Sequence, residues 1–292
     1  MKQLIGTGVA LVTPFQQDGT VDYTALEKLV NYSIDGGVEY LVILGTTAEA
    51  ATLTKDEKLK VIETIKKANA NRVPMVLGIG GNNTVEVIKE YQETDLSDYS
   101  AILTVSPYYN KPNQEGIYQH YKAIAESTNA NIILYNVPGR TGSNITADTT
   151  IRLANEFKNI VAIKEASPDF LQSTDIIRKN TREDFNIISG DDEFALPMTL
   201  AGGSGVISVI GQGIPTIFTE MIRKALNKEV DAAYNAHYKV VEITRAIFEE
   251  GNPCGIKAVL DNKGVCKPYT RLPLVPASDN LTTKINQLLS NI

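Results

Sequence analysis

The sequence predicts an α/β protein that folds as a (β/α)8 TIM barrel with a C-terminal helical domain. Three observations favour this fold class: eight short apolar segments, a helix-sized segment after each of them, and a composition with 43% hydrophobic and 21% charged residues over 292 positions. Short, wholly apolar strands that alternate with amphipathic helices indicate a parallel sheet covered on its outer face. Eight such units are the number that closes into a barrel, and an open, doubly wound sheet is the alternative.

Capping residues support the boundaries between the predicted strands and helices. The first helical pattern, residues 23–34, stops at Gly36-Gly37. Thr54-Lys-Asp-Glu57 fits a capping box, Asn83-Thr-Val-Glu86 resembles one, and Ser167-Pro168 predicts a helix start after strand six. The predicted strands cover residues 8–12, 40–44, 75–77, 101–105, 132–135, 160–164, 186–189 and 205–209.

The chain divides into a barrel domain and a helical domain in this prediction. An eighth helix over residues 215–227 completes a catalytic barrel of residues 1–227. Residues 228–292 predict the C-terminal helical domain, a candidate assembly surface. Its helical patterns cover residues 231–250, 254–261 and 280–289, with a break at Asn252-Pro253 and an extended connector over residues 272–276.

Charge and composition limit the classes of partner and the cellular compartment that we expect for this chain. The formal net charge of −6 is scattered, which argues against a nucleic-acid surface or a basic membrane surface. The start of the chain lacks the apolar core of a signal peptide, and no stretch is long enough for a membrane helix. The two cysteines, Cys254 and Cys266, form no CxxC motif. We therefore expect a cytoplasmic chain whose partners are small molecules or copies of itself.

One lysine follows three apolar residues near the end of predicted strand six, in Val161-Ala-Ile-Lys-Glu165. Such a lysine can simply extend its charged end to solvent. In a barrel, however, chemistry lies at the carboxyl ends of the strands, and a side-chain period of two places Lys164 and Glu165 on opposite faces. If Lys164 points inward, it is a candidate nucleophile that forms a Schiff base with a carbonyl substrate, because apolar surroundings favour the neutral amine that this reaction needs.

Polar residues follow other strands at the same end of the predicted barrel. Tyr135 ends the adjacent strand, and its hydroxyl is either a satisfied rim group or a proton partner for Lys164. Thr46 and Thr47 either satisfy turn amides or hold a substrate carboxylate. Arg140 is either a surface cation or a bidentate carboxylate clamp.

Several other motifs do not support a cofactor or a metal. Gly78-Ile-Gly-Gly-Asn-Asn83 lacks the last glycine of a dinucleotide fingerprint, and Gly202-Gly-Ser-Gly205 precedes strand eight, at the opposite end of the barrel. His120 and His237 are isolated, and Asp191-Asp192 is better explained as a helix cap. The sequence therefore predicts neither a cofactor nor a metal site.

Six motifs in this order and spacing resemble those of the dihydrodipicolinate synthase family, within the pyruvate-dependent class I aldolase superfamily that includes N-acetylneuraminate lyase. The resemblance spans essentially the whole chain. Each motif is weak alone, and the set is specific. The motifs are Gly45-Thr-Thr-Ala-Glu49, Pro107-Tyr-Tyr-Asn-Lys-Pro112, Tyr135-Asn-Val-Pro-Gly-Arg-Thr-Gly142, Ile163-Lys-Glu165, Ser189-Gly-Asp-Asp192 and Gly205-Val-Ile-Ser208.

The resemblance implies a class I lyase that condenses pyruvate with L-aspartate 4-semialdehyde through a lysine Schiff base, on the diaminopimelate route to lysine. It implies no metal or organic cofactor, and a homotetramer built as a dimer of tight dimers. The implied catalytic residues are Lys164 as the Schiff-base lysine and Tyr135, Thr46 and Tyr109 as a proton relay, with Tyr109 crossing the tight dimer interface. The implied substrate-binding residues are Thr47 for the pyruvate carboxylate, Ile207 through its carbonyl, Arg140 for the semialdehyde carboxylate, and Gly190 near the lysine.

The chain departs from the family pattern at two places. Ala48 replaces the usual glycine of the GTTGE motif, which would cost about 1 kcal/mol if its φ were positive. At the lysine-feedback site of sensitive relatives, three residues match and three differ. Because two added cations repel an incoming lysine, we expect weak or absent feedback inhibition. The matching residues are Asn82, Glu86 and Tyr108, and the differing ones are Ala50, Lys55 and Lys58.

Two other functions are possible for a barrel with this sequence pattern. Another pyruvate aldolase of the superfamily would act on a sugar acid or a different aldehyde, and the Arg140 motif argues against it. A non-catalytic barrel would bind a small amino or keto acid, and the complete set of relay residues argues against that.

Overall fold

The computed structural model describes residues 2–292 and shows eight parallel strands that close into a barrel in chain order. The predicted (β/α)8 fold is confirmed, and the open-sheet alternative is wrong. The strands are β1 (Gly6–Ala10), β2 (Tyr40–Ile43), β3 (Met75–Gly78), β4 (Ala101–Val105), β5 (Ile132–Asn136), β6 (Ile160–Glu165), β7 (Asn186–Ser189) and β8 (Gly205–Ser208).

Helices follow the strands, and three more form the C-terminal part, so the predicted helical appendage is confirmed. The predicted helix over residues 231–250 ends earlier, at Ala246. The helices are α1 (Tyr23–Asp35), α2 (Lys55–Asn69), α3 (Thr84–Glu93), α4 (Gln114–Ser127), α5 (Pro138–Thr141), α6 (Ala147–Glu156), α7 (Phe170–Lys179), α8 (Ala195–Leu200), α9 (Pro215–Leu226), α10 (Val230–Ala246), α11 (Cys254–Asn262) and α12 (Asp279–Leu289).

The first strand begins and ends two residues earlier than the predicted range 8–12. The strand ends at Ala10 because the amide of Val12 donates to Oε1 of Gln212 at 2.9 Å instead of continuing the ladder. Gly8 is required within β1, since a Cβ there would lie 2.1 Å from Cε2 of Tyr40. Close packing therefore outweighs the poor strand propensity of glycine at this position.

Of the helix caps predicted at Thr54, Asn83 and Ser167, two are confirmed and one is wrong. The cap predicted at Asp191-Asp192 is also wrong, because α8 begins after Phe194 without a side-chain cap. Thr54 and Glu57 form a complete capping box at the start of α2, and Asn83 accepts from the amide of Val85 at the start of α3. Ser167 does not cap α7. Asp169 caps this helix instead and accepts from Gln172 N at 3.1 Å, whereas Ser167 Oγ accepts from the amide of Asp169 itself, at 3.3 Å.

The chain forms two compact units in its internal contacts. One unit contains Pro74–Ile207, and the other contains Gly6–Val73 together with Ser208–Ile292. The second unit therefore combines the first two strands with the C-terminal helices. The predicted domain boundary between residues 227 and 228 stays a prediction.

No helix within residues 2–292 has both the length and the apolar character needed to cross a membrane. Over the same range, no group of three or more His, Cys, Asp or Glu side chains is arranged to hold a metal ion. Cys254 and Cys266 are buried free thiols.

Candidate active site

Lys164 and Glu165 end β6 and point to opposite faces of the strand. The carboxylate of Glu165 accepts hydrogen bonds from Asn136 Nδ2 at 3.0 Å to each oxygen, and from Gln172 Nε2 at 2.9 Å. Gln172 belongs to α7, so Glu165 faces the helical layer. Because successive side chains of a strand alternate, Lys164 lies on the other face, which is the orientation that the sequence-based hypothesis requires.

A hydrogen-bonded ring of amides surrounds the Glu165 carboxylate and fixes the ends of β5 and β6. Asn136 donates to Asn144 Oδ1 at 2.7 Å, and Asn144 donates to Gln172 Oε1 at 2.7 Å. Burial raises the pKa of the Glu165 carboxyl, and the hydrogen bonds from Asn136, Ser167 and Gln172 counteract that rise. The backbone that carries Lys164 is therefore held in place from its outer side.

Tyr135 on β5 is the register partner of Lys164 on β6. Nζ of Lys164 lies 4.3 Å from the centre of the Tyr135 ring, a cation–π distance. The two residues are only 5% and 6% exposed, respectively. Within the described residues, no carboxylate forms an ion pair with the Lys164 amine and no group forms a hydrogen bond with it. The amine is thus available to a ligand, and the neighbour predicted from sequence is in contact with it.

Gly190, after β7, lies directly beside the Lys164 side chain. A Cβ at this position would lie 2.6 Å from Cβ of Ala166 and 3.0 Å from both Cγ and Cε of Lys164. The missing side chain therefore makes room for the lysine. Ile207 is fully buried on β8, and the role of its carbonyl stays a prediction.

Arg140 and Tyr109 lie on adjacent segments and are exposed. Arg140 is in α5, the four-residue helix that follows β5, and its guanidinium forms no ion pair within residues 2–292. The Tyr109 amide donates to the carbonyl of Thr141 at the end of α5, at 3.4 Å. Tyr109 is 88% exposed and has a φ of 73°, a strained conformation for a bulky residue. An exposed aromatic residue held in this conformation is typical of a contact or functional role.

Thr46 and Thr47 form a 3-10 turn, Thr46–Ala48, directly after β2. Thr46 is exposed and Thr47 is buried. The residue with a positive φ in this motif is Glu49, at 53°, and not Ala48. The substitution of the usual glycine by Ala48 therefore causes no backbone strain, and the penalty considered from the sequence does not arise.

Three residues that support this turn were missed by the sequence analysis. Asn252 Nδ2 donates to Thr47 Oγ1 at 2.9 Å, and Lys257 Nζ donates to Glu49 Oε1 at 2.5 Å. The backbone amide of Arg271 donates to the other oxygen of Glu49 at 2.9 Å. Burial lowers the pKa of the Lys257 ammonium, and the charge of Glu49 opposes that shift. A lysine inside the apolar run Cys254–Leu260 was the available signal.

The residues matched to the lysine-feedback site fall into two groups, one in each unit. Asn82 and Glu86 line a surface pocket of about 290 Å³ at the start of α3, and Asn82 Nδ2 donates to the carbonyl of Tyr108 at 3.0 Å. The structure thus brings the three matching residues together. Ala50 begins the 3-10 turn Ala50–Thr52, and Lys55 and Lys58 lie in the first turn of α2.

Comparison with known proteins agrees with this geometry. The model of the dihydrodipicolinate synthetase family matches residues 3–292. The chain belongs to this family. The family assignment made from the motifs is therefore confirmed, and with it the classification as a class I aldolase-type lyase.

Relatives of the family are similar along their whole length. The 4-hydroxy-tetrahydrodipicolinate synthase of Flavobacterium psychrophilum is 55% identical over 286 residues, which cover 98% of this chain and 97% of the relative. The dihydrodipicolinate synthase of Thermotoga maritima is 38% identical with a TM-score of 0.95, covering 99% of this chain and 98% of that one. The enzyme of Acinetobacter baumannii, solved in complex with pyruvate, is 39% identical with a TM-score of 0.94 and the same coverage.

Proposed function

We propose that this chain is a 4-hydroxy-tetrahydrodipicolinate synthase, which condenses pyruvate with L-aspartate 4-semialdehyde in lysine biosynthesis via diaminopimelate. The observation that carries the proposal is the buried amine of Lys164, which lies against the Tyr135 ring without a carboxylate partner among residues 2–292. Lysine is rarely buried unless it is paired, so an unpaired one at a strand end indicates a reactive group. Membership of the family and the pyruvate complex of the Acinetobacter relative support the same substrate.

The proposed reaction uses the lysine amine to turn pyruvate into a carbon nucleophile. Nζ of Lys164 adds to the C2 carbonyl carbon of pyruvate, and loss of water leaves an imine. The protonated imine withdraws electrons, so a proton leaves C3 and the resulting enamine attacks the aldehyde carbon of the second substrate. The new alkoxide takes up a proton, and the condensed substrate is again an imine of Lys164. The amino group that came with the semialdehyde adds to the imine carbon, and Nζ of Lys164 leaves with a proton, which closes the product ring and returns the amine. Because the lysine itself supplies the electron sink, no cofactor enters this proposal.

The proton transfers are assigned to Tyr135, Thr46 and Tyr109, since each step at imine, enamine and alcohol needs a hydroxyl that can give and take a proton. Contact with the Lys164 amine supports this role for Tyr135. The exposure of Thr46 on its turn is compatible with passing a proton between two phenols. Tyr109 is proposed to act in the site of a neighbouring subunit, which its exposure supports.

Substrate carboxylates are assigned to Thr47 and Arg140. A threonine hydroxyl can donate to the pyruvate carboxylate, and an unpaired guanidinium can bind the semialdehyde carboxylate with two parallel hydrogen bonds. The carbonyl of Ile207 is proposed to lie near the imine. Gly190 is proposed to keep space beside Lys164 for the bound substrate.

The proposed assembly is a homotetramer made of two tight dimers, located in the cytoplasm. Exposed aromatic side chains on the Tyr108-Tyr109 segment support an interface there, because a large exposed aromatic pair is typical of a contact surface. At the feedback site, Lys55 and Lys58 are proposed to make the enzyme weakly sensitive or insensitive to lysine.

Borohydride reduction in the presence of pyruvate tests the proposal most directly. The purified protein is expected to carry a pyruvate-derived adduct on the peptide that contains Lys164, and Lys164→Arg is expected to lose both the adduct and the activity. Lys239→Arg, at an exposed position of α10, is the matched control and keeps both. Turnover of aspartate 4-semialdehyde is compared with that of N-acetylneuraminate and a keto-deoxy sugar acid. An unlabelled Lys164 would overturn the Schiff-base proposal, and preference for a sugar acid would overturn the substrate.

A further inference from the structure

The turn that carries Thr47 is held against the C-terminal part of the same compact unit by hydrogen bonds that involve side chains. Asn252, Lys257 and Arg271 all contact the four-residue stretch from Thr46 to Glu49. These contacts lie more than 200 positions apart along the chain, at separations of 205, 208 and 222 residues. Local sequence alone does not explain why three such distant residues form polar contacts with one short turn.

The hydrogen bond from Asn252 determines what the hydroxyl of Thr47 can do. A threonine hydroxyl has one hydrogen to donate and lone pairs to accept. Because Asn252 Nδ2 donates to Thr47 Oγ1 at 2.9 Å, the oxygen is the acceptor in this pair and its single hydrogen is free to point elsewhere. A hydroxyl fixed in this way can donate its hydrogen to a second group. A carboxylate oxygen suits that place, because it accepts hydrogen bonds and has no hydrogen of its own.

Stability of the fold does not account for the side chain of Asn252. Its Oδ1 is buried and has no hydrogen-bond partner among the described residues. A buried polar atom without a partner destabilises the folded state, so an apolar residue would serve the fold better at this place. The asparagine is therefore better explained by the hydroxyl that it orients.

The ion pair of Lys257 with Glu49 holds the end of the same turn. Both side chains are almost completely buried, at 0% and 1% exposure, and Nζ of Lys257 also lies 4.3 Å from the centre of the Phe15 ring. Glu49 has a positive φ, a conformation that persists only when surrounding contacts enforce it. The ion pair and the Arg271 amide supply those contacts and thereby set the direction of the residues before Glu49.

We propose that Asn252 is a positioning residue that holds the Thr47 hydroxyl as a hydrogen-bond donor for the substrate carboxylate, on a turn clamped by Lys257 and Glu49. This inference rests on the proposed function, because it takes the pyruvate carboxylate as the group that Thr47 binds. It assigns to the turn between α10 and α11 a part in recognising the first substrate.

The substitution Asn252→Asp tests the inference because it keeps the shape and reverses the hydrogen bond. An aspartate accepts from Thr47, which then turns its hydrogen away and presents lone pairs to the carboxylate. KM for pyruvate is expected to rise about tenfold or more, the change that corresponds to roughly 1.4 kcal/mol. KM for aspartate 4-semialdehyde is expected to stay within about twofold, which a general loss of structure would not allow. Asn262→Asp, at an exposed position of α11 where the side chain also bonds another side chain, is the matched control.

A double-mutant cycle with Thr47→Val shows whether Asn252 acts through the hydroxyl. Thr47→Val alone is expected to raise KM for pyruvate, and adding Asn252→Asp to it is expected to change that KM little further. Additive effects of the two substitutions would overturn the inference, as would an unchanged KM for pyruvate in Asn252→Asp.

Borohydride trapping separates this inference from the proposed function. Wild-type protein and Asn252→Asp should both form the Lys164 adduct at saturating pyruvate. If wild type forms no adduct, the proposed function fails. If wild type is labelled and Asn252→Asp binds pyruvate normally, only the positioning role fails. Lys257→Met leaves Glu49 buried without its cation and is expected to lower Tm. The double variant Glu49→Gln/Lys257→Met removes both charges, so its KM for pyruvate is the one to compare with that of wild type.

Discussion

Nζ of Lys164 lies over the face of the Tyr135 ring, 4.3 Å from its centre. The ring and the hydroxyl of this tyrosine are therefore separate contributors to the site. The ring contacts the lysine amine, whereas the proton transfer that we propose for this residue belongs to the hydroxyl. A substitution that removes only the hydroxyl can distinguish the two.

Tyr135→Phe is expected to lower kcat by about 10²- to 10³-fold while leaving the Schiff base able to form. The ring that contacts Lys164 is kept and only the proton donor is lost, and general acid–base catalysis contributes on the order of 10²- to 10⁴-fold. Steady-state kinetics and borohydride trapping with pyruvate are the measurements. Tyr238→Phe, an exposed tyrosine on α10, serves as the control. A kcat of Tyr135→Phe close to that of wild type would contradict the relay role.

Gly190→Ala is expected to impair the lysine beside it. The added Cβ would lie 3.0 Å from two carbons of Lys164 and 2.6 Å from Ala166, so the lysine must shift and the free energy of unfolding should fall by about 1–3 kcal/mol. Urea unfolding and the rate of adduct formation with pyruvate are the measurements. Gly139→Ala is the control, because nothing lies within 4 Å of a Cβ at that position. Normal adduct formation in Gly190→Ala would show that this glycine is not needed to accommodate the lysine.

Free L-lysine at millimolar concentration is expected to inhibit the enzyme weakly or not at all. Lys55 and Lys58 lie in the first turn of α2, and at the proposed feedback site their charges would repel a cationic ligand. Lys55→His/Lys58→His is expected to be more sensitive, seen as a lower lysine concentration for half-inhibition at neutral pH. Lys67→His, in the last turn of α2, is the control. Strong inhibition of the wild-type enzyme would refute the prediction.

The ion pair of Glu57 with Arg271 is expected to contribute stability that disappears in acid. Arg271 donates to both oxygens of Glu57, at 2.8 and 2.5 Å, and holds the pKa of the Glu57 carboxyl at about 2, below its ordinary value of 4.5. Because the folded pKa is lowered, the contribution is present above pH 4.5 and is lost as the pH falls toward 2. After solvent screening, we expect about 1–2 kcal/mol.

Urea unfolding of wild type and Glu57→Gln as a function of pH measures this contribution. Glutamine can keep the capping hydrogen bond to the Thr54 amide, so the difference reports the charge of Glu57. The two curves should be separated at pH 6 and converge in acid. Glu63→Gln, elsewhere on α2, controls for the loss of a negative charge. A separation that persists unchanged to pH 2 would exclude this ion pair as the cause.

The barrel and the position of Lys164 could be predicted from sequence because both depend on local patterns. Eight apolar segments at regular spacing specify the strands, and strand alternation fixes the face of Lys164 once Glu165 takes the other. Contacts between distant segments could not be predicted in this way. The predicted cap at Ser167 was wrong because the hydroxyl of Ser167 accepts from the amide of Asp169, and Asp169 caps the helix in its place.

Two buried lysines in apolar runs show the limit of that reasoning most clearly. Lys164 and Lys257 have similar surroundings in the sequence, and both lie over an aromatic ring at 4.3 Å. Lys257 has a carboxylate partner 208 positions away, and Lys164 has none among the described residues. The partner distinguishes the lysine of a buried ion pair from the lysine that we propose to be reactive, and only the folded chain shows it.

The stretch Thr46–Glu49 is held by side-chain and backbone contacts with residues beyond 250. These contacts limit how far the C-terminal part of the enzyme can be shortened. Ending the chain after α9 would retain all eight strands and every residue assigned to proton transfer. It would also remove Asn252, Lys257 and Arg271, and the loop that follows β2 would lose three of its polar anchors. Because these residues belong to the same compact unit as the first two strands, the C-terminal helices are part of the support of the turn that carries Thr47, and a shortened version should keep them.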